Sequence, residues 1–348
     1  MELSRADTDA TRTKLSSNCH LPNLRIVSNK RRMKTSLLPK FILTASAALL
    51  TFAAAPLHAV QTTALVNNAG STQLLTFDTA TPGTIVGPAV TISGILNGEA
   101  IVGIDYRPID SLLIGLGYNS VSGASNVYSI NLSTGALTSI NALTLSTGLA
   151  RVMNDFNPAV NTLRLTTSGA TGNNFRVPSG GTGVLTADPD LNPANPGIRA
   201  TAFSRNNAGG GTNGATTLYA IDGTNNALVT QGSIDFFTGS GTSPNTGTLT
   251  SVATLTGVTG LTVAGFDIFN SAGTAASSPG SAFLATTTGG FLSLNLGTAA
   301  ATNIGTIGGT YTTVLDVAIV PEPSSIALVG LAVAGLAVRR NRRKTVAA

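Results

Sequence analysis

Four aspartates recur in one local setting: Ile104-Asp105-Tyr106, Asn154-Asp155-Phe156, Phe266-Asp267-Ile268 and Leu315-Asp316-Val317. They stand 50, 112 and 49 residues apart, and the middle interval is close to twice the others. Carboxylates among apolar neighbours have two readings. In the first, each accepts backbone N–H bonds at the same place in a repeated unit and locks that unit to the next. In the second, Asp105, Asp155, Asp267 and Asp316 converge on a hard cation such as Ca²⁺, which takes carboxylate oxygens as ligands. Carboxylates gathered without a counterion repel one another, which favours either a bound ion or raised pKa values. Asp188-Pro189-Asp190 with Asn192 is a weaker Ca²⁺ candidate that reads more simply as a polar turn.

Other chemistries lose their principal group. Between Val60 and Val320 there is no His, Cys or Lys. Serine catalysis of the Ser-His-Asp type needs an imidazole. Thiolate and Schiff-base chemistry need Cys and Lys, and structural zinc needs Cys or His. Hydrolysis by two carboxylates, roughly 5–10 Å apart, is what remains. Glu99 is the single Glu of this stretch, and no Asp pair stands out by spacing. Gly180-Gly181 and Gly209-Gly210-Gly211 lack the Gly-Lys-Ser/Thr and following helix of a phosphate loop, so they read as turns. Tyr106, Tyr118, Tyr128 and Phe175 have the shape to stack on sugars, but their alternating spacing favours sheet packing.

The elements that position these groups follow from the interval. The copy missing from the long gap falls near Arg199-Ala200-Thr201-Ala202-Phe203, so the unit is near 50 residues, the size of a propeller blade. Each unit reads as four short strands separated by turn residues. The first unit has strands at 101–107, 111–118, 126–132 and 136–140. The second has 152–156, 162–167, 174–177 and 183–187. The third has 198–203, 216–221, 227–231 and 248–255, and the fourth 263–269, 281–286, 290–294 and 302–307. The fifth unit has one strand, 313–319, and the N-terminal segments 63–67, 73–78 and 84–90 supply the other three. The expectation is an all-β fold, a five-bladed β-propeller of four-stranded blades whose last blade is closed by both chain ends. A sandwich or an open solenoid is the runner-up, and a solenoid does not need complementary ends.

The chain carries a formal charge of +5, but the charges are segregated. Nine cations lie between Arg5 and Lys40 and five between Arg339 and Lys344. Residues 60–320 hold six arginines against eleven acids, a net of −5. Nucleic-acid binding needs clustered cations, so no nucleic-acid partner is expected.

The ends read as targeting segments. Met33 starts a secretory signal peptide over 33–59, with an apolar stretch from Phe41 to Ala55 and signal-peptidase cleavage between Ala59 and Val60. Residues 1–32 read as an over-extended start, or as a long basic n-region. At the other end Pro321-Glu322-Pro323 precedes an uncharged stretch, 324–338, and the basic cluster Arg339, Arg340, Arg342, Arg343 and Lys344. As a transmembrane helix the stretch would span about 22 Å, short of the ~30 Å hydrocarbon core. The basic end is expected to stay cytoplasmic.

Residues 321–348 resemble the PEP-CTERM sorting signal. That resemblance implies export, anchoring in the inner membrane until an exosortase processes the tail, and then a place at the cell surface or in a biofilm matrix. Residues 62–319 resemble the uncharacterised domain of unknown function 4394, through Gly103-Ile104-Asp105-Tyr106-Arg107-Pro108, Asp155-Phe156-Asn157-Pro158 with Leu163-Arg164-Leu165, Asn174-Phe175-Arg176-Val177, and Leu218-Tyr219-Ala220-Ile221-Asp222 with Leu228-Val229-Thr230-Gln231. That family implies a propeller-like fold and no established activity. Ser204-Arg205 departs from its pattern, where smaller uncharged residues are expected. The function expected is a non-catalytic binding or structural protein without a cofactor, whose partners are signal peptidase and exosortase in export and extracellular polysaccharide or a surface protein thereafter. The alternative is a secreted propeller hydrolase that depends on carboxylates or Ca²⁺.

Overall fold

A computed structural model describes residues 60–193, 197–206, 215–236, 241–270 and 279–320. The expected signal peptide with Ala59, the Pro321-Glu322-Pro323 motif, the 324–338 helix and the basic cluster lie outside the described residues. Among the described residues no helix is long and apolar enough to cross a membrane.

The chain opens with β1 (Gln61–Asn68), β2 (Ser71–Asp78), β3 (Thr81–Ile85) and β4 (Val90–Thr91). The first blade is β5 (Ala100–Arg107), β6 (Leu112–Tyr118), β7 (Ala124–Ile130) and β8 (Leu137–Thr144). The second is β9 (Val152–Asn157), β10 (Thr162–Thr167), β11 (Asn174–Val177) and β12 (Thr186–Ala187). The third is β13 (Ile198–Phe203), β14 (Thr216–Asp222), β15 (Ala227–Phe236) and β16 (Leu249–Thr254). The fourth is β17 (Val263–Phe269), β18 (Ser281–Thr286), β19 (Gly290–Leu294) and β20 (Ala301–Thr306), and β21 (Thr313–Ile319) follows it. Each blade is an antiparallel meander in chain order. In the closing blade β21 pairs with β1, from Thr62↔Ile319 to Asn67↔Thr313, and β1 pairs with β2. The innermost strands touch in a ring: β5 meets β9, β9 meets β13, β13 meets β17, β17 meets β21, and β21 meets β5. The fold is a five-bladed propeller closed by both ends of the ring segment, as expected from the repeat spacing, and the sandwich and open solenoid are set aside.

Polarity rises from the axis outward. All seven residues of β14 and of β17 are buried. The outermost strands β8, β16 and β20 are rich in Thr, Ser and Asn and largely half-buried or exposed. Threonine is β-branched and suits a pleated surface with one wet side. Five apolar clusters fill the five junctions between blades. Their Leu, Ile and Phe side chains contribute roughly 1.5–3 kcal/mol each on burial.

Two outer strands are broken or shortened relative to expectation, and a third, β8, runs on to Thr144. The strand expected over 84–90 is broken into β3 and β4, both paired with β2. Gly87 lies between them at φ 76°, and Pro88 has no N–H to give a ladder. The strand expected over 183–187 keeps only Thr186–Ala187, because the Gly183 N–H closes a turn onto Pro178 O at 2.9 Å. Gly180 and Gly181 belong to that turn, at φ 69° and 89°.

Close approach at the axis dictates two glycines on the innermost strands. A Cβ on Gly265 would sit 2.5 Å from Val317 N and 2.7 Å from Asp316 Oδ1. A Cβ on Gly103 would sit 2.1 Å from Asn154 Oδ1. Gly265→Ala is expected to destabilise the fold by about 1–3 kcal/mol, the usual cost of overpacking. Gly297→Ala, whose nearest neighbour is Asn295 Oδ1 at 3.4 Å, is expected to be close to neutral. Urea melts of the two variants beside the parent check this, and equal midpoints would contradict the packing account.

Candidate functional site on the propeller axis

An innermost strand pairs on one side only, so its other edge presents N–H groups that need acceptors. The recurrent aspartates supply them across the blade junctions. Phe156 N donates to Asp105 Oδ2 at 2.7 Å, and Phe203 N donates to Asp155 Oδ1 at 2.9 Å. Ile319 N donates to Asp267 Oδ2 at 2.6 Å, and Ile104 N donates to Asp316 Oδ2 at 3.0 Å. Each donor belongs to the innermost strand of the next blade. Asp267 and Asp316 also accept from the N–H of the residue that follows them. Ala202, which precedes Phe203 as Asp155 precedes Phe156, leaves the third blade without a carboxylate. Its junction with the fourth blade holds the largest of the five apolar clusters.

Asp105, Asp155 and Asp267 are buried and each brings a carboxylate oxygen within 4.8 Å of the other two. Asp316 does not join them. It is half-buried and lines a cavity of about 450 Å³ at the mouth of the axis, where the innermost strands begin. Three of the four expected residues therefore form one group. Oxygens bound to Ca²⁺ lie at about 2.3–2.6 Å from it, so this group has dimensions that could hold one hard cation. The same oxygens could instead share protons. Burial holds Asp105 well above the ordinary carboxylate range, with repulsion from Asp267 adding to it. Asp155 is raised in the same way, by burial and then by Asp105. Burial raises Asp267 to about 7 against the opposing N–H bonds from Ile319 and Ile268. It raises Asp316 to about 8.

The other acids have partners away from the axis. Glu99 is buried and accepts from Asn126 Nδ2 at 2.5 Å and from the Tyr128 hydroxyl at 2.8 Å. Asp188 pairs with Arg164 at 2.6 Å and Arg176 at 2.8 Å, while Asp190 Oδ1 accepts from Gly172 N and Asn173 N. Asp188 and Asp190 thus stabilise the loop they belong to. Tyr106, Tyr118, Tyr128 and Phe175 are all buried in the sheets. Arg205, the departure noted in the sequence, pairs with Asp235 at 2.8 Å.

Sequence reasoning missed the cations of the mouth. Arg151 and Arg199 line the same cavity as Asp316. They stand 48 residues apart at the start of consecutive innermost strands. That near-unit spacing was the signal available.

Comparison with known proteins places these features in a family frame. The model of the family "Domain of unknown function (DUF4394)" matches residues 73–318. The PEP-CTERM protein-sorting motif matches residues 320–343. No curated protein sequence matches the chain. Among solved structures, a nidogen/laminin complex aligns at TM-score 0.43 and 10% identity, covering 75% of this chain and 98% of that one. The major Malassezia sympodialis allergen Mala s 1 aligns at 0.39 and 9%, covering 69% and 76%. An auxiliary nutrient binding protein from Bacteroides ovatus aligns at 0.35 and 15%, covering 55% and 47%. At these scores the likenesses carry no functional weight.

The raised carboxylates make stability depend on pH. In the unfolded chain an aspartate titrates near about 3.9. The folded ring holds its protons to higher pH, so it binds more protons than the unfolded chain between those limits. The stability these groups contribute is therefore fully present below about pH 4 and is lost as pH rises through about 7 to 8. Thermal melts between pH 4 and 9 are expected to show Tm declining across this window. Asp267→Asn keeps an acceptor for Ile319 N–H while removing the charge, so it is expected to flatten the decline. A variant that tracks the parent at every pH would refute the assignment.

Proposed function

Since the chain belongs to the Domain of unknown function (DUF4394) family and carries a PEP-CTERM protein-sorting motif, which implies export with processing by an exosortase, we propose that its propeller acts at the cell surface or in the extracellular matrix as a non-catalytic binding and structural module. The observation that carries this reading is where the motif sits. The matched segment begins at Val320, directly after β21 ends at Ile319. Processing near Pro321-Glu322-Pro323 would leave β21 paired to β1 along its whole length. Signal-peptidase cleavage between Ala59 and Val60 would likewise spare β1, which starts at Gln61. The tail is then a temporary address for a ring already complete.

The chemistry of the ring supports the non-catalytic part. Each recurrent aspartate is engaged with a backbone N–H of the next blade. Glu99 has both oxygens held by side chains. Groups so engaged hold structure together more readily than they exchange protons with a substrate. Extracellular polysaccharide or a surface protein is the proposed partner.

Expression of the precursor in an exosortase-bearing host tests the reading. The parent is expected at the surface or in the medium, with a mass that ends near residue 321. Replacement of Pro321, Glu322 and Pro323 by Ala is expected to keep the full-length chain in the inner membrane. Equal processing of both would remove the sorting argument. Turnover of a polysaccharide that disappears in Asp105→Asn would replace the binding role with the hydrolase alternative.

A further inference from the structure

The described ring has six arginines, and four of them are ion-paired: Arg107 with Asp110, Arg164 and Arg176 with Asp188, and Arg205 with Asp235. Arg151 and Arg199 form no ion pair among the described residues, and both line the cavity at the mouth of the axis. Each guanidinium offers five N–H donors. Arg151 Nη1 donates to Arg199 O at 3.0 Å and Arg199 Nη2 to Leu261 O at 2.6 Å, while Arg199 Nε is buried without a partner. Most of their donor capacity is unassigned. Arg151 and Asp316 influence each other electrostatically without forming an ion pair.

The same cavity holds two further unmet polar groups. Asn154 is 5% exposed, and neither its Oδ1 nor its Nδ2 has a partner. Thr201 is 4% exposed, and its Oγ1 has none. Buried polar atoms of this kind are costly unless a ligand or water meets them. A Cβ on Gly103 would lie 2.1 Å from Asn154 Oδ1 and 3.2 Å from Asp316 Oδ2, so both groups face the space that the missing side chain leaves.

We infer that this cavity binds a small hydroxylated carboxylate, the chemistry of a sugar acid or hydroxy acid. A cavity of about 450 Å³ suits such a ligand. The carboxylate lies against Arg151 and Arg199, where planar guanidinium donors match its two oxygens. Hydroxyls donate to Asp316 and Asn154 Oδ1 and accept from Asn154 Nδ2 and Thr201 Oγ1. A neutral sugar would leave the two arginines without a counter-charge. The inference rests on the binding role proposed above and gives it a site.

Calorimetry on the full chain in detergent tests it, with glucuronate as the probe and glucose and acetate as its two halves. Glucuronate is expected to bind about tenfold or more tighter than either half. A glucuronate-ended oligosaccharide binding as well as the free acid assigns the source to a chain end; weaker binding of the oligosaccharide assigns it to the free acid. Arg151→Gln and Arg199→Gln are each expected to weaken glucuronate about tenfold or more. Thr201→Val, nearly isosteric, is expected to weaken it without lowering Tm, and it keeps the test valid if an arginine variant unfolds. Equal heats for glucuronate and glucose, or parent-like binding by Thr201→Val and a folded arginine variant, would overturn the site. Binding by a chain that is never exported would remove the surface reading and leave the site standing. Turnover of the probe would remove the non-catalytic reading alone.

Discussion

Every innermost strand of a closed ring has a free edge, and the N–H groups on that edge point where no sixth strand can come. This constraint organises the molecule. Water reaches such groups poorly near the axis, so side chains must supply the acceptors. Aspartate is short enough to reach the next strand and accepts through two oxygens. Four junctions use it, through Phe156, Phe203, Ile319 and Ile104 as donors. The remaining junction, beside Ala202, relies on apolar packing.

The solution has consequences. Placing acceptors from several blades around one axis gathers like charges, and burial with mutual repulsion raises their pKa values. It also demands narrow backbones, hence Gly103 and Gly265 where side chains of other blades approach. At the second and third blades the apolar cluster is small, and a polar network spans the same region. There Asn174 Oδ1 accepts from Arg164 Nη1 at 2.8 Å and Gln231 Nε2 at 2.9 Å. Hydrogen bonds supplement hydrophobic burial where the latter is thin. The mouth of the axis shows another balance, with two arginines left over after the other four among the described residues have each met an acid.

Much of the fold was legible because repeats are periodic in sequence and in space alike. A spacing near 50 residues, period-2 apolar patterning and complementary ends favour five blades with a shared closing blade over a sandwich or an open solenoid. The misses are local. Gly87-Pro88 breaks an outer strand because φ at Gly87 and the missing N–H of Pro88 act against the ladder, whatever the surrounding pattern suggests. Asp316 sits between two apolar residues much as Asp105 and Asp267 do, yet it lies toward the mouth. Its Oδ2 meets Ile104 N, before Asp105 in β5, whereas Asp105 meets Phe156 N, after Asp155 in β9. A shift of that size along a strand exceeds the reach of a carboxylate, and no flanking pattern records it.

The sequence by itself determined the number of blades, the way the ring closes, the acidic balance of the body, the lack of His, Cys and Lys, and the sorting motif. These depend on composition and spacing, which survive without coordinates. Tertiary structure alone decided that three of four aspartates meet, that Glu99 and Asp188 are engaged elsewhere, and that Arg151, Arg199, Asn154 and Thr201 share one cavity. Those outcomes depend on register between blades and on the direction of each side chain, and both are set only when the five innermost strands close around the axis.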